Sequence, residues 1–167
     1  MITADYCRMM ARYNRWQNNG IRDVVGKMDE ADLTQDRGAF FGSIFRTLNH
    51  LLWGDQLWLM RLGVGDGPSV DADKHDQLTA TITDWDRLRF RTDGQIMEWA
   101  GGLNSIDLTG DLNFHSALFN KTLTRPMGLC VTHFFNHQTH HRGQVHAMLT
   151  AAGQTLPDTD LTLMPES

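Results

Sequence analysis

The sequence predicts an all-α protein, a four-helix bundle with a small β-hairpin between its third and fourth helices. Apolar residues recur at three- and four-residue spacing over four long segments, and glycine or proline marks most of their ends. One short stretch instead alternates apolar and polar residues, as a β-strand does. With 167 residues, 41% of them hydrophobic and 21% charged, the chain has the composition of one globular domain, which we expect over residues 1–167.

The first half of the chain contains two of the predicted helices. Thr3 can cap the first, which we expect over residues 4–28 because its apolar side chains form one stripe. A polar connection with glycine follows over residues 29–38. The second helix then runs to Gly63 and is apolar on nearly every side, which predicts a place in the middle of the bundle.

A loop separates the second helix from the third. Residues 63–76 contain most of the strong turn formers of the chain, so we expect a long exposed loop that can serve as a rim or lid. The third helical stripe begins at Leu78, and the pair Gly101 and Gly102 stops it.

The last third of the chain begins with a different pattern. Residues 106–124 alternate in two short pieces around a turn at 116–120, which predicts the hairpin. Pro126 is suited to the first position of the fourth helix, which can continue to Gly153. The two prolines of the tail predict a segment that wraps around the bundle.

Composition and charge argue against several classes of protein. The N-terminal segment lacks the basic and apolar regions of a signal peptide, and no apolar run is long enough to span a membrane, so we expect a cytoplasmic protein without a membrane partner. Cys7 and Cys130 are read as free thiols in a reducing compartment. A formal charge of -5 and no basic cluster predict no nucleic-acid partner.

Histidines are concentrated in the fourth helix, where five of the eight lie between residues 133 and 146. At about 100° per residue, His133, His137, His140 and His141 fall on one stripe, whereas His146 points elsewhere. Imidazoles one turn apart can converge on one cation. The spacing leaves three pairs open: His133 with His137, His137 with His141, and His137 with His140.

A metal site needs a further ligand from another helix. His50 is the natural candidate, because it is the only histidine in the otherwise apolar second helix. Taken alone, His50 would more often hydrogen-bond a backbone carbonyl. Gln138 follows His137, so the glutamate base of a zinc protease is missing. Cys130 lies about 10 Å from His137 along the helix and is read as a buried apolar residue.

Three segments resemble the DinB-like family of DNA-damage-inducible DinB and YfiT-like metalloenzymes. They are YNRW in the first helix, TLNHLLWGDQLWL in the second and HFFNHQTHHRGQVHAML in the fourth. The resemblance covers nearly the whole chain. It implies an up-down-down-up bundle, a homodimer, and a metal centre formed by His50, His137 and His141. His133 and His140 are then expected around the pocket.

The resemblance also implies a function. We expect one divalent metal ion, with zinc preferred and nickel or iron possible for an all-imidazole site. Characterised relatives are similar to thiol S-transferases, which predicts a small thiol and an electrophilic small molecule as partners. One alternative is a metal-dependent hydrolase that uses His133, His140 or Asp55 as its base. The other is a non-catalytic metal-binding stress-response protein, which a fourth protein ligand would favour.

Overall fold

The computed structural model describes residues 2–117 and 119–166 and is mostly helical. Its helices and strands are α1 (Ala4–Val25), α2 (Glu30–Thr34), α3 (Ile44–Arg61), α4 (Ile82–Gly102), β1 (Asp111–Ser116), β2 (Lys121–Pro126) and α5 (Met127–Ala151). The two strands pair antiparallel. The predicted helical class and the small hairpin are therefore confirmed. Within the described residues, no helix combines the length and apolarity needed to cross a membrane.

Hydroxyl side chains cap the N-termini of three of the long helices. Thr3, Ser43 and Thr81 each accept a hydrogen bond from a backbone N–H three residues further on, at 3.1–3.2 Å. The predicted cap of the first helix is therefore correct. That helix ends at Val25, three residues earlier than expected, because Gly26 forms its C-cap.

The structure corrects three other boundaries. The connection 29–38 contains the short helix α2, whose Leu33 is buried; five residues are too few to give a helical stripe. The third helix begins after its cap at Thr81, so Leu78 joins the core from the preceding loop. Pro126 ends β2 and precedes α5 instead of opening the helix.

The four long helices contact one another in a ring, in which α1 and α3 each pack against both α4 and α5. Their buried apolar residues form two clusters. The first contains Cys7 and Ala11 of α1, Trp58 and Leu59 of α3, Ile96 and Ala100 of α4, and Val131 and Phe134 of α5. The second contains Ile21 and Val25 of α1, Ile44 and Leu48 of α3, Trp85 of α4, and Val145 and Leu149 of α5.

Buried polar side chains occupy the middle of each long helix, between these two clusters. They are Asn14 and Asn18 of α1, Asp55 of α3, Arg89 and Asp93 of α4, and Gln138, His141 and Arg142 of α5. We call this region the polar layer. Because apolar residues surround it on two sides, its polar groups need partners within the protein or from a ligand.

The tail after α5 runs back across α1, as predicted. The hydroxyl of Tyr13 donates to the carbonyl of Thr159 at 2.6 Å, and the amide of Gln17 donates to the carbonyl of Asp158 at 3.1 Å. Cys7 and Cys130 are buried free thiols, in agreement with the absence of a disulfide framework.

Candidate metal centre

Three histidines meet between the middles of α3 and α5. His50 belongs to α3, whereas His137 and His141 lie one turn apart on α5, which packs against α3. A ring nitrogen of each lies within 4.8 Å of those of the other two. The ring centroids of His137 and His141 are 4.3 Å apart, and those of His50 and His141 are 4.6 Å apart. Among the pairs that helical spacing left open, His137 and His141 are the pair that converges with His50.

We call His50, His137 and His141 the histidine cluster. The residues around it leave ring nitrogens without a hydrogen bond, and these can bind a ligand. Oε1 of Gln144 accepts a hydrogen bond from Nδ1 of His141 at 2.7 Å, so the lone pair of His141 is on Nε2. Nδ1 of His50 lies 2.9 Å from Nδ1 of His75, which leaves Nε2 of His50 outside that bond. Nδ1 of His137 is buried and has no hydrogen-bond partner among the described residues.

The histidine cluster is neutral at physiological pH. Burial, together with the nearby rings of His141 and His75, lowers the pKa of His50 to about 3. Burial and the neighbouring histidines also lower the pKa of His137 to about 3. The pKa of His141 is lowered by burial, although its hydrogen bond to Gln144 opposes the shift. Metal ligation requires neutral imidazoles, and all three rings meet that requirement.

Gly54 provides the space into which the ring of His137 fits. A Cβ atom at this position would lie 2.7 Å from Cε1 of His137, closer than two such atoms pack. Gly54 follows His50 by four residues and therefore lies on the same face of α3. A larger residue would push the ring of His137 away from His50.

An open cleft of about 890 Å³ leads to the histidine cluster and is lined by His50 and His141. Its walls come from the turn before α3, from one face of α3 and α5, from the loop 63–76 and from the end of β1. A site at the bottom of an open cleft is accessible to small molecules, in contrast to a closed structural metal site.

Phe41 covers one side of the histidine cluster. Its ring centroid lies 4.1 Å from that of His50 and 5.5 Å from that of His141. The turn that presents it is closed by a hydrogen bond from the N–H of Gly42 to the carbonyl of Ala39 at 2.8 Å. Gly42 adopts a φ of +81, a conformation that favours glycine. The turn therefore fixes an aromatic wall beside two of the histidines.

The loop 63–76 forms the rim of the cleft, as the sequence predicts. The indole of Trp53 donates to the carbonyl of Val70 at 2.9 Å, which holds the loop against α3. At the end of the loop, Asp76 accepts a hydrogen bond from Arg46 at 2.6 Å. These two contacts fix His75, which lies between them, beside His50.

His133 and His140 lie beside the histidine cluster. The ring of His133 packs on the indole of Trp58, with 5.1 Å between centroids. His140 lines the cleft, and its Nε2 lies 3.3 Å from Nε2 of Gln144. Both residues are near the pocket, and neither joins the group of converging nitrogens.

Asp55, which the hydrolase hypothesis considers as a base, belongs to a separate ionic group. Its carboxylate accepts hydrogen bonds from Arg89 at 2.6 Å and from Gln138 at 3.0 Å. Arg89 also donates to Asp93 at 2.7 Å. We call Asp55, Arg89, Asp93 and Gln138 the charge network. With only 1% of its side chain exposed, Asp55 does not reach the cleft and is removed from the candidate bases.

The sequence reasoning missed three residues that shape the site: Phe41, Gly54 and His75. Gly54 carried a usable signal, because its spacing from His50 puts both on one helical face. Phe41 and His75 come from irregular segments, and no spacing rule places such segments against a helix. Gln144 follows His141 by three residues and therefore lies on the same side of α5, where it hydrogen-bonds the ring of His141.

The sequence matches the DinB family over residues 1–167, and the chain belongs to that family. No curated protein was found to match the sequence. The fold is similar to that in the crystal structure of a DinB-like protein from Bacillus cereus, with a TM-score of 0.63 and 18% identity. The alignment covers 86% of this chain and 91% of that one. At this identity the likeness extends to the fold alone.

Proposed function

We propose that this protein is a metal-dependent enzyme that holds one divalent ion with His50, His137 and His141. The convergence of three neutral ring nitrogens at an open cleft carries the proposal. Among the described residues, no fourth histidine, cysteine or carboxylate meets the same distance. Three protein ligands with a position left for a small molecule are typical of catalytic metal sites.

We propose zinc as the preferred ion, with nickel or iron as the alternatives. Three neutral imidazoles without a carboxylate or thiolate suit zinc, nickel and iron alike. Gln144 fixes His141 in the tautomer that leaves Nε2 for the ion, which is how hydrogen-bonding neighbours usually orient metal-binding histidines. When bound, a divalent ion supplies a Lewis acid that lowers the pKa of a thiol or a water molecule.

The reaction we propose is the transfer of a small thiol to an electrophilic small molecule. The thiol loses its proton to solvent, its sulfur forms a bond to an electrophilic carbon, and the leaving group departs with the electrons of its former bond. Phe41 and Trp53 give the cleft an apolar wall beside His50. The histidine cluster lies where these walls meet.

Two observations favour this reading over its alternatives. A hydrolase needs a general base. Of the three candidate bases, Asp55 is buried outside the cleft, and only His140 lines it. A purely structural metal site is usually closed by four protein ligands, whereas this one opens into a cleft. Hydrolysis of an activated ester by the zinc-loaded protein would favour the hydrolase instead.

The test is a conjugation assay with zinc-loaded protein, cysteine as the thiol and chlorodinitrobenzene as the electrophile. We expect formation of the thioether above the rate of the uncatalysed reaction, dependent on zinc and abolished by His137→Ala. His146→Ala is the matched control, because His146 lies on the other side of α5, and should leave the rate unchanged. A rate indifferent to zinc would contradict the proposal.

We also propose the up-down-down-up bundle topology. It is supported by the order in which the helices cross the two apolar clusters: α1 and α5 run from the first to the second, and α3 and α4 run in reverse. A homodimer in the cytoplasm, without nucleic acid or membrane as a partner, completes the proposal. The net charge of -5 supports the part concerning nucleic acid.

A further inference from the structure

Arg61 lies at the opposite end of the α3 wall of the cleft from the histidine cluster. It follows His50 by eleven residues, a separation of about 16 Å along the helix axis. Arg61 lines the same cleft as His50 and His141. A molecule that reaches from one end to the other must therefore be elongated.

The protein fixes the guanidinium of Arg61 between aromatic rings. It lies 4.7 Å from the ring centroid of Trp58 and 4.4 Å from that of Phe114. Its Nη2 donates to the carbonyl of His115 at 3.1 Å. These contacts hold the planar group in one orientation, so little side-chain entropy is left to lose when a ligand binds.

Arg61 has no carboxylate partner among the described residues, in contrast to Arg89 of the charge network. Nε and Nη1 of Arg61 have no protein hydrogen bond within the described chain. The one acidic side chain among the described residues that line the cleft is the exposed Asp73. The cleft therefore contains a fixed cation that no carboxylate of the described residues pairs with.

We propose that Arg61 binds the carboxylate of an elongated acidic substrate, whose apolar body lies along Leu57 and Trp53 and whose reacting end reaches the histidine cluster. This inference rests on the proposed function and specifies its substrate class. A guanidinium can donate two parallel hydrogen bonds to a carboxylate, which gives both affinity and orientation.

The experiment compares two thiols of equal length, 8-mercaptooctanoate and 8-mercapto-octan-1-ol, by calorimetry with the cobalt-loaded protein. We expect the carboxylate to bind at least about tenfold more tightly than the alcohol, in the range of a charge-assisted hydrogen bond. Arg61→Gln should abolish this preference and Arg61→Lys should retain part of it. Arg91→Gln, an exposed arginine of α4, is the matched control and should keep the full preference.

The absorption spectrum of the cobalt-loaded protein tests thiol binding at the metal separately from the role of Arg61. A thiolate-to-cobalt band with both thiols supports thiol binding at the metal, whichever thiol binds more tightly. Carboxylate preference without that band would contradict the thiol chemistry and leave the role of Arg61 in place. Equal affinities for the two thiols, or a preference that survives in Arg61→Gln, would overturn the assignment of Arg61. Circular dichroism of Arg61→Gln and Arg61→Lys checks that both variants fold.

Discussion

Two neighbouring polar groups of the protein differ in character: the histidine cluster, which is partly buried, and the charge network, which is fully buried. In the charge network, Asp55 and Asp93 share Arg89 at 2.6 and 2.7 Å, so opposite charges meet within the protein. In the histidine cluster, three neutral rings face one another, and a buried nitrogen of His137 has no partner among the described residues. The charge network therefore pairs its charges within the protein, although Nε of Arg89, Oδ2 of Asp93 and Oε1 of Gln138 have no hydrogen-bond partner among the described residues. The histidine cluster instead brings ring nitrogens together at the cleft, where a ligand can reach them.

This difference indicates which buried polar residues serve stability and which serve function. A buried charge must be paired or the fold loses free energy, so removing one member of the charge network should destabilise the protein. Neutral imidazoles have a smaller desolvation cost, and a protein can leave their lone pairs open for a metal ion. Substitutions in the two groups should therefore affect different measurements.

The largest expected effect is on stability, from Arg89→Met in the charge network. This change leaves two buried carboxylates without their shared cation, which should lower the free energy of unfolding by about 3–5 kcal/mol. Urea denaturation of protein treated with a chelator measures it without any contribution from metal. The control is Arg22→Met, which removes the partly exposed pair with Asp86 and should cost about 0–1 kcal/mol. Equal losses of unfolding free energy in Arg89→Met and Arg22→Met would contradict the stabilising role of the charge network.

A large loss of metal affinity is expected from Gly54→Ala. The new Cβ would lie 2.7 Å from Cε1 of His137, so the ring must move away from its two partners. We expect zinc affinity to fall by about 100-fold, at the upper end of what misorientation of a ligand costs. Competition with a chromogenic chelator measures the affinity.

Gly94→Ala provides the matched control for Gly54→Ala. Gly94 is an exposed glycine inside α4 with no atom near an added Cβ. Alanine there should stabilise the helix by up to about 1 kcal/mol and leave zinc affinity unchanged. If Gly54→Ala binds zinc as tightly as Gly94→Ala, the ring of His137 does not need the space that Gly54 provides.

A smaller effect is expected from Gln144→Ala, which removes the hydrogen bond that sets the tautomer of His141. The ring should remain in place but lose its fixed orientation, and we expect zinc affinity to fall by about 10-fold, the lower end for hydrogen-bonding neighbours of ligands. Gln144→Glu keeps an acceptor at the same position and should restore most of the affinity. An alanine variant with unchanged affinity would show that Gln144 plays no part in orienting His141.

The sequence predicted the long helices better than the site, for physical reasons. Thr3 and the helical stripes are local signals, whereas α2 is too short to show one. Helical spacing also predicts the direction in which the side chain of Asp55 points. Asp55 follows His50 by five residues, about 140° around α3, and therefore points away from His50 toward the charge network.

Helical spacing could not choose the pair on α5, because His133, His137, His140 and His141 share one stripe. The choice depends on the height at which α3 crosses α5, which is a property of tertiary packing. The placement of His75 depends on the path of the loop 63–76. Local periodicity encodes neither the choice of the pair on α5 nor the position of His75. The family resemblance supplied the choice of His137 and His141.

The most direct test of the metal centre is elemental analysis of the protein expressed without an affinity tag, together with three variants. We expect about one divalent ion per chain in the unaltered protein, its loss in His50→Ala and in His137→Ala, and its retention in His146→Ala. Chelator-treated samples of all four should keep the same helical circular dichroism, because the rings are neutral and the charge network is intact. Unchanged metal content in His50→Ala would contradict the three-histidine centre.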